Sequence, residues 1–110
     1  MITIVETSAY LKKAEKLMST KERTELIDTI AADPKAGDVI PKTGGIRKLR
    51  FAQDGQGKSG SFRVIYYYYN DNNPVLLFAV FGKNQKSNLN DKEKLDLYQI
   101  VQDIKKVMKP

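Results

Sequence analysis

The apolar positions of this chain change period several times, and each change marks an element. Residues 2–5, ITIV, are all β-branched and predict a short first strand. The period then lengthens. Tyr10, Leu11, Ala14, Leu17 and Met18 share one face at helical spacing, with Thr7 or Ser8 in place to cap the helix. Ser19 and Glu22 have the Ser-x-x-Glu spacing of a capping box, which restarts a helix without a true loop. Leu26, Ile27, Ile30 and Ala31 form its apolar stripe. Asp33-Pro34 ends it, because a residue before proline is pushed out of the helical region. A connection follows, with Pro34, Pro41, Gly37, Gly44 and Gly45; the paired glycines are expected to serve a tight turn into the next strand.

Alternation with period two returns at Ile46 to Ala52. It places Ile46, Lys48 and Arg50 on one face and Arg47, Leu49 and Phe51 on the other. The second set is expected to pack on the helices, with Arg47 near the end reaching solvent. Residues 54–60, DGQGKSG, read as a flexible turn. In the strand Phe62 to Tyr69, Phe62, Val64, Tyr66 and Tyr68 share one face, and Arg63, Ile65, Tyr67 and Tyr69 the other. Pairing is assumed to bring Arg63 beside Lys48 and Arg50. After the turn NDNNP, residues 75–81, VLLFAVF, are apolar on both faces and predict a central strand covered on both sides. Asn90 and Glu93 cap a last helix with Leu97, Tyr98, Val101, Ile104 and Met108 on its apolar side, and the basic tail KKVMKP is expected to fray. The order β-α-α-β-β-β-α predicts an α+β fold: a single domain over residues 1–110, a small antiparallel sheet with the two N-terminal helices on one face.

Charge sharpens this picture. The chain has 110 residues and a net charge of +6. Between Lys42 and Lys86 there are eight cations and two acids, while the remainder holds eleven of each sign. The whole excess therefore sits on the later strands and their loops, the footprint of a site for a polyanion, RNA first among them. The sequence contains no cysteine and no histidine, which removes disulfides, thiolate catalysis and the commonest general base and metal ligand. No apolar run approaches the ~20 residues that span a membrane. The start MITIVETS is not a signal peptide, so a cytoplasmic location is expected.

Three familiar chemistries fit poorly. The two acids of the basic segment, Asp54 and Asp71, both fall in turns, against a paired-carboxylate or magnesium site. No histidine is present to activate a serine. GQGKS lacks the spacing of a phosphate-binding loop, and no helix follows it. Cleavage of RNA by cations remains, with no metal and no cofactor. RNA supplies its own nucleophile, the 2′-OH. The protein must take that proton, stabilise the charge added at phosphorus and help the 5′-oxygen leave. Arg50 and Arg63 suit the second task as planar forks matched to phosphate oxygens. Like-charged neighbours lower a lysine from its usual pKa of ~10.4, which makes Lys48 the candidate base. Tyr66, Tyr68 or Lys83 is the candidate for donating a proton or stacking on a base. Arg47, Lys58 and Lys86 are the further cations available to hold the strand.

The stretch GGIRKLRFA…GQGKSGSFRVIYYY…PVLLFAVFGKNQKSNLN resembles the RelE/HigB toxin superfamily of bacterial type II toxin–antitoxin modules, and the HigB-like branch most. The resemblance covers nearly the whole chain. It implies the RelE-like fold, an antiparallel sheet with two helices against one face. It also implies a ribosome-dependent mRNA endonuclease acting in the A site and inhibiting translation, by metal-independent 2′-OH attack. Placed by position, the family's strand cations fall on Lys48 and Arg50, the arginine after the glycine-rich turn on Arg63, and the cluster after the last strand on Lys83, Asn84 and Lys86. Asn84 stands where the best-known members have an arginine, and Asn90 where they have a tyrosine, so the acid and the stacking partner are unassigned. The resemblance further implies a cognate antitoxin, often with a helix-turn-helix DNA-binding domain. The alternative reading is a non-catalytic RNA-, ribosome- or antitoxin-binding module of the same fold, acting as a transcriptional co-repressor.

Overall fold

The computed structural model describes residues 2–52, 61–82, 85, 86 and 88–110. In chain order the elements are β1 (Ile4–Glu6), α1 (Ser8–Leu17), α2 (Thr20–Ala32), β2 (Asp38–Val39), β3 (Ile46–Ala52), β4 (Ser61–Tyr67), β5 (Val75–Phe81) and α3 (Asp91–Lys105). The five strands form one sheet in the order β1-β5-β4-β3-β2. The α+β class and the order of the expected elements hold. Two features differ from the expected antiparallel sheet. β1 runs parallel to β5, pairing Ile4 with Val75, because the α1–α2 hairpin carries the chain over one face before β3 begins. The proline- and glycine-bearing connection also contributes β2, which pairs Asp38 with Lys48 and Val39 with Arg47 at the sheet edge.

The local signals have clear structural counterparts. Thr7 is the N-cap of α1 and also donates its hydroxyl to the Leu77 carbonyl at 2.6 Å, tying the helix start to β5. Capping boxes form at Ser19/Glu22 and at Asn90/Glu93, each satisfying two otherwise orphaned backbone donors. Gly44 and Gly45, at φ +77° and +117°, make the turn into β3 in a backbone region that side chains disfavour.

The sheet is covered on both faces, as the doubly apolar β5 requires. On one face Tyr10, Ala14 and Met18 of α1 and Leu26 and Ile30 of α2 pack with Phe51, Val64, Tyr66, Leu77 and Val80. On the other, Val101 of α3 is buried with Ile46, Ile65 and Tyr67, and Leu97, Phe78, Ala79 and Phe81 pack around them. A bulge in the pairing with β4 at Ile65/Tyr66 leaves both Phe78 and Ala79 on the α3 face.

The C-terminal tail does not fray as expected. Asn70 and Asn73 in the β4–β5 turn both donate to the Lys109 carbonyl, and Asn73 Oδ1 accepts from the Lys109 N–H at 2.9 Å. Asn73 is nearly buried, so its amide is committed to this clamp. Asn73→Ala is expected to destabilise the protein by about 1–3 kcal/mol, through polar groups left unpaired. A denaturant titration checks this, and an unchanged midpoint would mean the clamp holds nothing.

Candidate functional site

The register of β3 and β4 decides which cations meet. Arg50 pairs with Arg63, Lys48 with Ile65 and Ile46 with Tyr67. Paired residues share a face, so Lys48, Arg50 and Arg63 all stand on the side that α3 occupies. That face is divided. Ile46, Ile65 and Tyr67 lie buried beneath α3, whereas Arg50 is exposed and Lys48 and Arg63 are half-buried. The open part lies where β3 ends and β4 begins.

Two arginines directly opposite one another across strands are destabilising. Among the described residues no carboxylate forms an ion pair with Lys48, Arg50 or Arg63. The Arg63 guanidinium is steadied by donating to the Ser61 hydroxyl at 3.0 Å. Lys48 Nζ donates to Asn88 Oδ1 at 3.1 Å, a contact from the segment leading into α3. On its other side Lys48 has Asp38 as its cross-strand neighbour. Neither Asn88 nor Asp38 was singled out from sequence. Both lie far from Lys48 along the chain, in segments read as connections.

The other candidates fall elsewhere. Arg47 lies on the opposite face, the one covered by α1 and α2, because its parity in β3 is odd. It is half-buried and tethered: its Nη1 donates to the carbonyls of Gly37 at 2.7 Å and Lys35 at 3.3 Å. Tyr66 shares that face and is fully buried. Its hydroxyl donates to the Pro34 carbonyl at 2.8 Å and accepts from the Gly37 N–H at 2.9 Å. The backbone passes so close that a Cβ on Gly37 would sit 2.8 Å from the Tyr66 hydroxyl. Tyr68 follows on the same face, with its hydroxyl donating to Asp71 at 2.6 Å. Arg47, on the face that its spacing predicts, and Tyr66 and Tyr68 are thus separated from the cation trio by the sheet itself, and the buried Tyr66 packs in the core rather than beside the trio. Lys86 is held by Glu93 at 2.8 Å. Glu93 in turn is kept below the usual carboxylate range, first by the Asn90 N–H and then by Lys86. Lys58, Lys83 and Asn84 lie outside the described residues.

The buried tyrosines make the fold sensitive to alkali. Burial pushes Tyr10 up to about 12, and raises Tyr66 and Tyr67 as well. A group raised on folding contributes stability that is complete below its unfolded value and is lost as pH climbs through the folded one. Stability is therefore expected to hold up to pH ~10, the ordinary tyrosine value, and to fall between there and about 12. Melting temperatures across that range, with phenolate absorbance followed in parallel, check this. Tyrosine ionisation well before unfolding would contradict it.

What remains is two guanidinium forks side by side on an open half-face, with an ammonium group diagonal to one of them. Such an array can grip adjacent oxygens of a phosphate and stabilise added negative charge. A comparison with protein families agrees with the architecture. The family model of the RelE toxin of the RelE/RelB toxin–antitoxin system matches residues 4–109. With the match extending from β1 to the clamped tail, the chain belongs to the RelE toxin family of toxin–antitoxin systems.

Proposed function

We propose that this toxin, of the HigB-like branch, is a cytoplasmic, ribosome-dependent mRNA endonuclease that cleaves by attack of the RNA's own 2′-OH. The 2′-oxygen forms a bond to phosphorus, the bond to the 5′-oxygen breaks, and a 2′,3′-cyclic phosphate is left on the upstream fragment. Lys48 is the base that takes the 2′-OH proton, held in place by Asn88. Arg50 and Arg63 bind the non-bridging oxygens and stabilise the charge that grows on them. Lys83 is the candidate donor to the departing 5′-oxygen, with Asn84 and Lys58 contacting the strand. Lys86 contacts it once released from Glu93. A sequence without histidine or cysteine leaves proton transfer to such groups. The cognate antitoxin, with a helix-turn-helix domain, is proposed to neutralise the basic surface with acidic residues, since complementary charge speeds and specifies association.

One observation carries this reading: Arg50 and Arg63 face each other across two strands with no ion-paired carboxylate among the described residues. An arrangement that costs the free protein stability is accounted for by an anion that belongs between the two side chains. Mapping 5′-ends of cellular mRNA after induction tests it, comparing wild type with Arg63→Ala. New ends within translated regions are expected for the wild type alone. Intact transcripts together with salt-sensitive RNA binding would instead support a non-catalytic binding module.

A further inference from the structure

The row that carries the two arginines has a third member, and it is aromatic. Arg63 has Arg50 as its neighbour on β3 and Phe81 as its neighbour on β5, so the three side chains stand in line on one face. Over the Phe81 ring, α1 places the Lys13 ammonium, 4.4 Å from the ring centroid. Across this end of the sheet the order is cation, cation, ring, with a third cation lying over the ring, drawn from four different elements. Phe81 is half-buried, and it borders a groove whose apolar lining includes Ala9, Ile65, Leu89 and Leu97, with the acids Glu93 and Asp96 also on its wall.

We propose that Phe81 is the platform on which a nucleobase of the bound single-stranded RNA stacks, and that Lys13, displaced from the ring, is a contact for a neighbouring phosphate. The proposal rests on the reading of this face as an RNA site. Surfaces that hold single strands combine a cationic track with an aromatic ring, because every base offers a π-face and every linkage a charge. A ring with one cation beside it and another over its face matches a strand whose bases and phosphates alternate. The tyrosines Tyr66 and Tyr68 cannot serve, since the sheet separates them from Arg63. In the free protein Lys13 covers the ring. A cation–π contact at an accessible site is weaker than a base stacked on an aromatic ring, so an arriving base displaces the ammonium. The flexible lysine stem then lets it take a neighbouring phosphate.

The test uses a short 2′-O-methyl oligoribonucleotide, which cannot be cleaved, carrying a 2-aminopurine whose fluorescence falls on stacking. Wild-type protein is expected to bind and quench it. Phe81→Leu is expected to abolish the quench and weaken binding about tenfold, with no change in the salt dependence. Phe81→Tyr retains both quench and affinity. Lys13→Ala keeps the quench but lowers the slope of log affinity against log salt by about 0.7. If wild type binds through Arg63 but Phe81→Leu quenches and binds like wild type, the platform is overturned and the RNA site stands. Failure of the wild type to bind, or binding indifferent to Arg63→Ala, overturns the RNA site and this inference together. Circular dichroism reports whether Phe81→Leu folds. If it does not, the Lys13→Ala slope decides, and an unchanged slope overturns the proposal.

Discussion

Arg63→Ala is expected to reduce mRNA cleavage about 10²–10³-fold, the usual effect of removing one donor aimed at developing oxyanion charge. The same substitution is expected to leave the fold intact and to raise its stability slightly. Arg63 and Arg50 occupy directly opposed positions, and like charges placed so destabilise a sheet by roughly 0.2–1 kcal/mol. Opposite signs on stability and activity are what a binding site predicts and a structural residue does not, because functional groups are commonly held at some cost to the fold. Arg63→Lys separates charge from shape. A lysine keeps the charge but lacks the planar fork that grips two oxygens at once, so it is expected to recover only part of the loss. Cleavage in a translating extract and a melting curve on the same preparations check both halves. A variant that loses activity only in proportion to lost stability would remove Arg63 from the site.

Tyr66→Ala is expected to destabilise the protein by about 3–5 kcal/mol, in the range of large aromatic deletions from a core. Against a total of roughly 5–15 kcal/mol for a small domain, that removes a large share of the stability. Tyr66→Phe isolates the hydroxyl. It keeps the ring among Tyr10, Leu26 and Val64 but leaves the Gly37 N–H and the Pro34 carbonyl without their partner. Unpaired buried polar groups cost about 1–3 kcal/mol, and in a domain of this size each kcal/mol lowers the melting temperature by about 4–8 °C. Cleavage per folded molecule is expected to stay at the wild-type level for Tyr66→Phe. A stable Tyr66→Phe variant with impaired RNA binding would return Tyr66 to the site and contradict its place in the core.

Much of the architecture follows from local rules. The capping boxes at Ser19/Glu22 and Asn90/Glu93 form because the required oxygens lie three residues from the donors they satisfy. The doubly apolar stretch 75–81 becomes an inner strand because both of its faces must leave water. Strand parity also divides the candidates of β4 between two faces. Arg63 is an odd position in β4, while Tyr66 and Tyr68 are even, so alternation already places them on opposite faces. The structure follows that rule, with Tyr66 and Tyr68 on the face of α1 and α2 and Arg63 on the face of α3.

Sequence by itself determined the helices, every strand except β2, and the face of β3 on which each cation stands, because these depend on spacing within a few residues. It also concentrated the positive charge in the segment that became β3, β4 and their loops. Tertiary structure alone decided that β1 enters parallel to β5, that α3 covers only part of the cationic face, and that Phe81 extends the row begun by Arg50 and Arg63 and carries Lys13 over its ring. It alone brought Asn88 to Lys48 across forty residues of chain. The physical reason is one of range. Capping and alternation are settled by bonds between near neighbours, whereas strand register and helix docking are settled by which apolar surfaces leave water together, and no residue's immediate neighbours specify that choice.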